Sequence, residues 1–232
     1  MPEILILIPT LHRLGKLRPL AENIRDATES GYTTVLITEA EDEASCMEAA
    51  ALEDEGLVVA VINNRKACYA GAMNAGYDAA VSDGIAFTHV LQGADDLLFH
   101  PGWDKPALTL METRPDVQIA GTNDMHEPGC LAGKWASHYL ISRRYIDETG
   151  SVIDQPPGIV LCEAYEHAGC LSEFYWTIAT RGAWAPCLDS IVEHRHHDYG
   201  LSVRDDTYEK QPRFEAADNK IFSSRQHLWS GP

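Results

Sequence analysis

Basic residues are scarce in this sequence. Its 232 residues include 18 Lys and Arg against 35 Asp and Glu, so the formal net charge is −17. A chain this acidic lacks the diffuse positive field on which non-specific nucleic-acid binding and attachment to anionic membranes depend. The charge argues against duplex nucleic acid as a partner, whereas a modified base stays open as an acceptor. An anionic ligand would need a local Arg/Lys pair, a helix N-terminus or a metal ion.

Long apolar runs and closely paired cysteines are also absent. No stretch approaches the roughly 18 consecutive apolar residues that a membrane-spanning helix needs. The apolar run 4–8 is too short for the core of a signal peptide. The six cysteines form no Cys-x-x-Cys pair, which favours free thiols in a reducing compartment. We therefore expect a cytoplasmic protein without a transmembrane segment.

Strand and helix patterns alternate along the first half of the chain. Runs of β-branched and aliphatic residues, typical of strands buried on both faces, are separated by amphipathic or alanine-rich helical segments. The predicted strands are 4–8, 33–38, 57–62, 87–91 and 117–121, and the predicted helices are 14–27, 43–55, 67–82 and 103–113. This alternation with short connections is typical of a parallel sheet flanked by helices.

The pattern changes after residue 124, where Gly, His and Trp become frequent. The predicted elements are a strand at 137–142, a helical turn at 143–148, a helix at 170–181, a short strand at 190–193 and a terminal helix at 215–228. No linker composition separates the two parts. We therefore expect one domain over residues 1–232, in which the half 125–232 completes a site begun by the half 1–124.

Two adjacent carboxylates follow the fourth predicted strand. Ligands of open α/β sheets bind at the carboxyl ends of the strands, and Asp95 and Asp96 lie at such an end. Side by side they repel each other unless a cation, a hydrogen-bonding partner or open water stabilises them. Oxygen ligands suit Mg²⁺ or Mn²⁺, which often bridges a diphosphate. A solvated turn or a helix N-cap is the alternative interpretation.

A histidine-rich segment offers further metal ligands. In an extended backbone His194 and His196 share one face. Imidazole suits Mn²⁺ or Zn²⁺, so the two histidines could complete a metal site with Asp95 and Asp96. A surface cluster of histidines is the alternative.

Polar residues also follow the second and third predicted strands. The segment 63–66 (Asn-Asn-Arg-Lys) ends the third strand, and Gly71 and Asn74 follow at the start of the next helix. Positive charge and a helix N-terminus suit a diphosphate or a sugar. Glu39, after the second strand, could accept a hydrogen bond from a base or ribose. Solvated surface charge is the alternative for the two basic residues.

Several short segments occur in a recognisable order. They are Ile8-Pro9-Thr10-Leu11-His12-Arg13, Leu36-Ile37-Thr38-Glu39, the helix start 64–77 (NRKACYAGAMNAGY), and 91–96 with Pro101-Gly102-Trp103. Together they resemble the first half of GT-A-fold glycosyltransferases, in particular family 2-like members, whose DXD metal motif corresponds to 91–96. The resemblance extends over residues 1–125 and depends on the order and spacing of the motifs.

The resemblance implies an α/β GT-A (Rossmann-like) fold with a mixed central sheet. It implies transfer of a sugar, with inversion, from a nucleotide-diphosphate sugar to an acceptor hydroxyl. It implies Mn²⁺ or Mg²⁺ at Asp95, Asp96, His194 and His196, and Glu173 as the base that deprotonates the acceptor. The implied donor-binding residues are Pro9, Thr10, Arg13, Glu39, Asn64, Arg65, Gly71, Asn74, Gly93, Ala94 and Asp95.

The second half resembles the family more loosely. Its Glu-His-x-His segment at 193–196 and Asp205–Tyr208 are similar to segments of small bacteriophage glycosyltransferases. Gln92 or Ala94 stands at the first acid of the metal motif, and Leu171 stands where related sequences suggest an Asp.

These departures leave alternatives open. For the base, Asp124, Asp147 and Asp189 remain candidates beside Glu173. For the function, the alternatives are a catalytically degenerate nucleotide-sugar-binding module and a nucleotidyltransferase on a related fold. A nucleotidyltransferase would be expected to carry a glycine-rich loop after the first strand, and the loop 9–13 contains no glycine.

Overall fold

The computed structural model describes residues 3–204 and 206–229, so Asp205 of the segment 205–208 lies outside the described residues. Its strands are β1 (Glu3–Pro9), β2 (Gly31–Thr38), β3 (Val59–Ile62), β4 (His89–Gln92), β5 (Leu97–Phe99), β6 (Ile119–Asn123), β7 (Tyr139–Ser142) and β8 (Trp184–His194). Its α-helices are α1 (Leu17–Ala27), α2 (Glu43–Asp54), α3 (Tyr69–Ser82), α4 (Asp104–Thr113), α5 (Pro128–Leu131), α6 (Gly169–Thr180) and α7 (Asp206–Arg225). A π-helical turn (Tyr145–Thr149) and two 3₁₀ turns (His197–Tyr199 and Gln226–Leu228) complete the described elements.

The strands form one mixed sheet in the order β3-β2-β1-β4-β7-β6-β8-β5. The first four run parallel, as the alternating pattern predicts, and the mixed α/β sheet implied by the resemblance is confirmed. The fifth predicted strand, now β6, does not pair with β4, because β7 from the second half inserts antiparallel between them. The local pattern could not reveal this insertion, since it depends on pairing between residues about fifty positions apart along the chain (Val90 with Ile141).

Strand β1 runs through the centre of the molecule and separates two apolar cores. Leu5 and Leu7 pack on one face with residues of α3 and α6, and the alternate isoleucines pack on the other face with α1 and α4. The five residues 4–8 are fully buried, which explains why this strand is apolar throughout rather than alternating.

Element boundaries differ from the predictions where turns or distant pairing decide them. Helix α1 begins at Leu17 rather than at Leu14, because Gly15 adopts a left-handed conformation (φ 82°) that ends the preceding turn. Strand β8 is longer than the predicted 190–193 because it pairs with β6 along one part and with β5 along another. No described helix is long and apolar enough to span a membrane.

The sheet brings the predicted site residues to one edge. Strands β1, β2, β3 and β4 are parallel, so the residues that follow them lie at the same end of the sheet. The antiparallel pairing of β5 with β8 sets Leu97 opposite His194, and the N–H of Arg195 donates to the carbonyl of Asp96 (2.8 Å). The histidine-rich segment therefore lies directly beside the two aspartates.

Candidate functional site

Asp95 and Asp96 lie after β4 against the loop that follows β1. Thr10 Oγ1 donates to Asp95 Oδ2 (2.8 Å), and Arg13 Nη1 donates to Asp95 Oδ1 (2.9 Å). The same Nη1 lies 3.5 Å from Asp96 Oδ2. Burial raises the pKa of Asp95 to about 6, and the nearby Arg13 opposes this shift. Arg13 is thus one cation that stabilises the carboxylate pair.

His194 lies on the other side of Asp96. Its Nε2 is 3.4 Å from Asp96 Oδ1. The ring of His196 follows at a centroid distance of 5.2 Å from that of His194, but its Nδ1 accepts from the N–H of Asp198 (3.3 Å) and lies 3.3 Å from that carboxylate. The predicted pair is therefore brought to the aspartates, with His194 in contact and His196 turned toward Asp198.

His138, which the sequence analysis missed, lies beside this group. Its ring packs edge-on against His194 (centroid distance 5.1 Å), and its Nδ1 hydrogen-bonds to the carbonyl of Gln92 (3.0 Å). A carbonyl only accepts, so Nδ1 carries the proton and Nε2 keeps its lone pair. That Nε2 is buried and has no hydrogen-bond partner among the described residues. A histidine that donates one ring N–H to a carbonyl and leaves the other nitrogen free has the arrangement of a metal ligand.

Gln92, which with Ala94 is one of the two residues that could correspond to the first acid of the family motif, ends β4. Its side chain is fully buried, and neither amide atom has a hydrogen-bond partner within residues 3–204 and 206–229. It contributes no carboxylate, so the metal motif of the resemblance is present only as the pair Asp95 and Asp96.

A second polar group lies at the ends of β2 and β3. Asn63 Nδ2 donates to Glu39 Oε1 (2.7 Å) and to the carbonyl of Lys66 (3.1 Å), and Asn63 Oδ1 accepts from the N–H of Arg65 (2.9 Å). Burial raises the pKa of Glu39. The predicted Asn64 is exposed, so it is the neighbouring Asn63 that the structure joins to Glu39.

Arg65 and Asn74 connect α3 to the second half of the chain. Arg65 pairs with Asp78 (2.5 Å) and with Glu163 (2.6 Å). Asn74 Nδ2 donates to Glu163 (2.8 Å) and to the carbonyl of Leu161, while its Oδ1 accepts the N–H groups of residues 160 and 161. Both predicted donor-binding residues thus hold the segment 160–163 in place.

Gly71 and Gly93 mark two close approaches of the backbone. A Cβ on Gly71 would lie 2.0 Å from the carbonyl oxygen of Lys66, and one on Gly93 would lie 2.8 Å from that of Leu7. The carbonyl of Gly93 accepts from the hydroxyl of Tyr69 (3.0 Å). Pro9 ends β1, and Ala94 packs against the core on the α1 side of the sheet.

Glu173 lies inside the molecule rather than in a cleft. It is 1% exposed, and its Oε2 accepts from the hydroxyl of Tyr165 (2.7 Å) and from Arg225 Nε (2.6 Å). Its Oε1 accepts from Arg225 Nη2 (2.8 Å). Arg225 also binds both oxygens of Asp154 (3.0 and 2.7 Å). This carboxylate joins α6 to α7.

Two of the three alternative bases, Asp124 and Asp147, are engaged as well. Both carboxylate oxygens of Asp124 accept hydrogen bonds, from Ser137 and from two backbone N–H groups. Asp147 accepts from Tyr77 and Arg143. Asp189 is exposed and lines a groove of about 570 Å³ against α4.

Comparison with known proteins identifies the fold. No protein-family model matches the sequence, and no curated protein matches it. The structure of glucosyl-3-phosphoglycerate synthase from Mycobacterium tuberculosis, in complex with Mn²⁺, UDP and phosphoglyceric acid, matches 100% of this chain and 80% of that chain, with a TM-score of 0.65 and 11% identity. This chain has the GT-A glycosyltransferase fold.

Two further structures with the GT-A fold are also similar to this chain. A mannosyltransferase from Pyrobaculum calidifontis, in complex with GDP-Man and Mn²⁺, matches 84% of this chain and 57% of that chain (TM-score 0.61, 14% identity). The catalytic domain of Drosophila β1,4-galactosyltransferase 7, in complex with xylobiose, matches 89% of this chain and 75% of that chain (TM-score 0.52, 12% identity). At these identities the likeness establishes the GT-A fold alone, and the activity must be argued from the site.

Proposed function

We propose that this chain is a metal-dependent glycosyltransferase that moves a sugar from a nucleotide-diphosphate sugar to an acceptor hydroxyl, with inversion. One observation carries the proposal. On a GT-A fold, the carboxylate of Asp96 lies 3.4 Å from Nε2 of His194 at the carboxyl end of β4, and the ring of His138, whose buried Nε2 has no partner among the described residues, packs against that of His194. In this proposal the half 1–124 binds the donor and the half 125–232 binds the acceptor.

The donor atoms of this group fit Mn²⁺ or Mg²⁺ with different preference. Two imidazoles and one carboxylate favour Mn²⁺, whereas Mg²⁺ prefers oxygen ligands. We assign the metal to Asp96, His194 and His138, with His196 beside them. Asp95 is not assigned as a metal ligand, because its oxygens already accept hydrogen bonds from Thr10 and Arg13. When bound, the ion would neutralise charge on the leaving diphosphate.

The chain's own residues would bind and orient the donor. Glu39 and Asn63 form a polar edge suited to a nucleoside, and Glu39 retains an oxygen that can accept from a base or ribose. Arg13, which pairs with both Asp95 and Asp96, would hold these carboxylates in place beside the diphosphate. An acceptor oxygen that attacks opposite the leaving diphosphate would invert the anomeric centre.

One observation favours a catalytically silent nucleotide-sugar-binding module instead. The residue that the resemblance implies as base, Glu173, has both oxygens engaged inside the fold. Release of nucleoside diphosphate from the donor separates the two functions, because a binding module binds the donor without turnover.

A thermal-shift screen tests the donor site. UDP-, GDP-, TDP- and CMP-sugars would each be added with Mn²⁺ or with EDTA. A ligand at about 100 times its Kd adds about 2.7 kcal/mol to the free energy of unfolding, so a Mn²⁺-dependent shift with one nucleotide is expected. Asp96→Asn should abolish that shift. Asp116→Asn is the matched control, because Asp116 is an exposed residue paired only with Arg114 on the surface. An equal shift in EDTA, or in Asp96→Asn, would contradict the metal assignment.

A further inference from the structure

The turn that follows β8 carries three adjacent side chains that can bind a metal ion. We call it the histidine turn and define it as His196, His197 and Asp198. The carboxylate oxygens of Asp198 lie 3.3 Å from His196 Nδ1 and 3.1 Å from His197 Nε2. One ligand atom from each of the three residues lies within 4.8 Å of the other two. Two imidazoles and a carboxylate therefore converge on one small volume.

The separations in the histidine turn are close to those around a bound ion. Zn²⁺ binds imidazole nitrogen and carboxylate oxygen at about 2.0–2.2 Å in tetrahedral geometry, so two of its ligand atoms are about 3.3–3.6 Å apart. The contacts of Asp198 with the two imidazoles, at 3.3 and 3.1 Å, are near this spacing. Binding of an ion would therefore need only small movements of the side chains.

The contacts of His196 Nδ1 conflict unless a cation is present. This nitrogen lies 3.3 Å from the backbone nitrogen of Asp198, whose N–H donates to it, and 3.3 Å from the Oδ2 atom of the same residue. In a neutral imidazole a ring nitrogen carries either a proton or a lone pair. If Nδ1 accepts from the N–H, its lone pair faces a carboxylate oxygen; if it donates to the carboxylate, its proton faces the N–H. A bound cation resolves the conflict because it attracts both the lone pair and the carboxylate.

Backbone hydrogen bonds fix the shape of the histidine turn. The N–H of Tyr199 donates to the carbonyl of His196 (3.2 Å), and the N–H of Gly200 donates to the carbonyl of His197 (2.9 Å). Gly200 then ends the turn in a left-handed conformation (φ 71°). The backbone that carries the ligands is thus ordered before an ion binds, which lowers the entropic cost of binding.

The histidine turn is shielded on one side and open on the other. The side chains of His196 and His197 are 15% and 13% exposed, whereas that of Asp198 is 65% exposed. An ion can therefore enter past Asp198 and keep a water molecule as its fourth ligand. Two imidazoles with one carboxylate suit Zn²⁺ better than Mg²⁺ or Ca²⁺, which prefer oxygen ligands.

The histidine turn is distinct from the metal position assigned at Asp96. His194 directs Nε2 toward Asp96 (3.4 Å), whereas His196 directs Nδ1 toward Asp198. The backbone nevertheless connects the two groups, because the N–H of Arg195 donates to the carbonyl of Asp96 (2.8 Å). An ion in the histidine turn would therefore stabilise the segment that lies against Asp96.

We propose that the histidine turn is a second divalent-cation site of the Zn²⁺ type, separate from the donor metal at Asp96. The inference goes beyond the proposed function and does not rest on it. The bound ion fixes the end of β8 and the turn after it beside the candidate donor site.

Counting bound ions tests the inference without a nucleotide sugar. Co²⁺ is the probe, because it can replace Zn²⁺ and its visible absorption reports the coordination geometry. Metal-free wild type, His197→Ala, Asp198→Asn, Asp96→Asn and the control His227→Ala would be dialysed to equilibrium against Co²⁺ and analysed for bound metal. The control residue is exposed, and its Nδ1 hydrogen-bonds to the carbonyl of Ser224 (3.0 Å), away from both groups of ligands.

Wild type and the control should bind two equivalents of Co²⁺, and each of the other three variants should bind one. The affinity of the histidine turn should fall at least about 100-fold in His197→Ala, since loss of a residue that merely orients a ligand already costs about 10–100-fold. Asp198→Asn changes an exposed side chain and should keep the wild-type circular dichroism spectrum in EDTA. It therefore decides the test if His197→Ala does not fold.

The pattern of losses separates the inference from the proposed function. Wild-type binding in Asp198→Asn, or a single wild-type equivalent that Asp96→Asn removes, would overturn the inference. A single equivalent that Asp96→Asn retains and Asp198→Asn loses would support the inference and contradict the metal assignment of the proposed function. No bound Co²⁺ in wild type would overturn both.

Discussion

Replacing Glu173 with Gln should destabilise the protein and leave the chemistry of each folded molecule intact. Glu173 is almost fully buried and accepts two hydrogen bonds from Arg225 and one from Tyr165. The hydrogen bond with Glu173 is also the main reason that the pKa of Arg225 is raised. The substitution removes the negative charge of this buried pair and turns one acceptor into a donor that faces Arg225 or Tyr165.

The expected loss of stability depends on the hydrogen bonds that remain after the substitution. Removing one partner of a buried ion pair costs about 3–5 kcal/mol. Arg225 keeps its two hydrogen bonds to Asp154, and Gln keeps one acceptor oxygen, so we expect the loss to be about 2–3 kcal/mol. For a domain of this size, 1 kcal/mol shifts Tm by about 2–4 °C, which predicts a decrease of roughly 4–12 °C.

Thermal and urea unfolding would be measured beside donor hydrolysis at a temperature where both proteins are folded. Glu148→Gln is the control, because it removes an exposed i,i+4 pair with Arg144, and exposed pairs of this kind contribute little to stability. If Glu173→Gln unfolds like wild type but loses hydrolysis with donor binding retained, Glu173 is the base and the reasoning from its buried contacts is wrong.

Two further predictions concern the nucleoside edge and the pH dependence of stability. Asn63→Ala should weaken nucleoside diphosphate binding in a calorimetric titration, because Asn63 orients Glu39, whereas Asn64→Ala should not; equal effects would contradict the assignment. Burial lowers the pKa of His89 from 6.5 to about 4. In that window the unfolded chain binds a proton that the folded chain does not, so stability falls as the pH decreases. His89→Gln should reduce the slope of the unfolding free energy against pH between these two values. An unchanged slope would contradict the assignment of this pH dependence to His89.

The first half of the fold was predictable because its signals are local. Strand β1 and most of β2 and β4 are buried on both faces and therefore apolar, the edge strand β3 is apolar although only partly buried, and short polar turns separate the strands from the adjacent helices. The second half follows from pairing between distant segments. The strand Leu97–Phe99 has three residues and no period of its own; it exists because β8 lies beside it.

The candidate site was predictable only where its residues directly follow predicted strands. Asp95, Asp96 and His194 could be predicted as candidates because two carboxylates after a strand and a His-x-His segment can be recognised in the sequence alone. His138 was missed because nothing near it in sequence marks it as a ligand. Its significance comes from the carbonyl of Gln92, which fixes the proton on one nitrogen and leaves the other unpaired.

The excess of acidic residues extends to the candidate site and determines how a donor can be bound there. Arg65 is paired with Asp78 and Glu163, and Lys66 is paired with Glu166, so these basic side chains from the end of β3 are already compensated. Arg13 shares its charge with two aspartates. A diphosphate placed here would add two or more negative charges to an environment that has no surplus of positive charge. The donor must therefore bring its own compensation, and we expect the species that binds to be the complex of the donor with a divalent cation rather than the free nucleotide sugar.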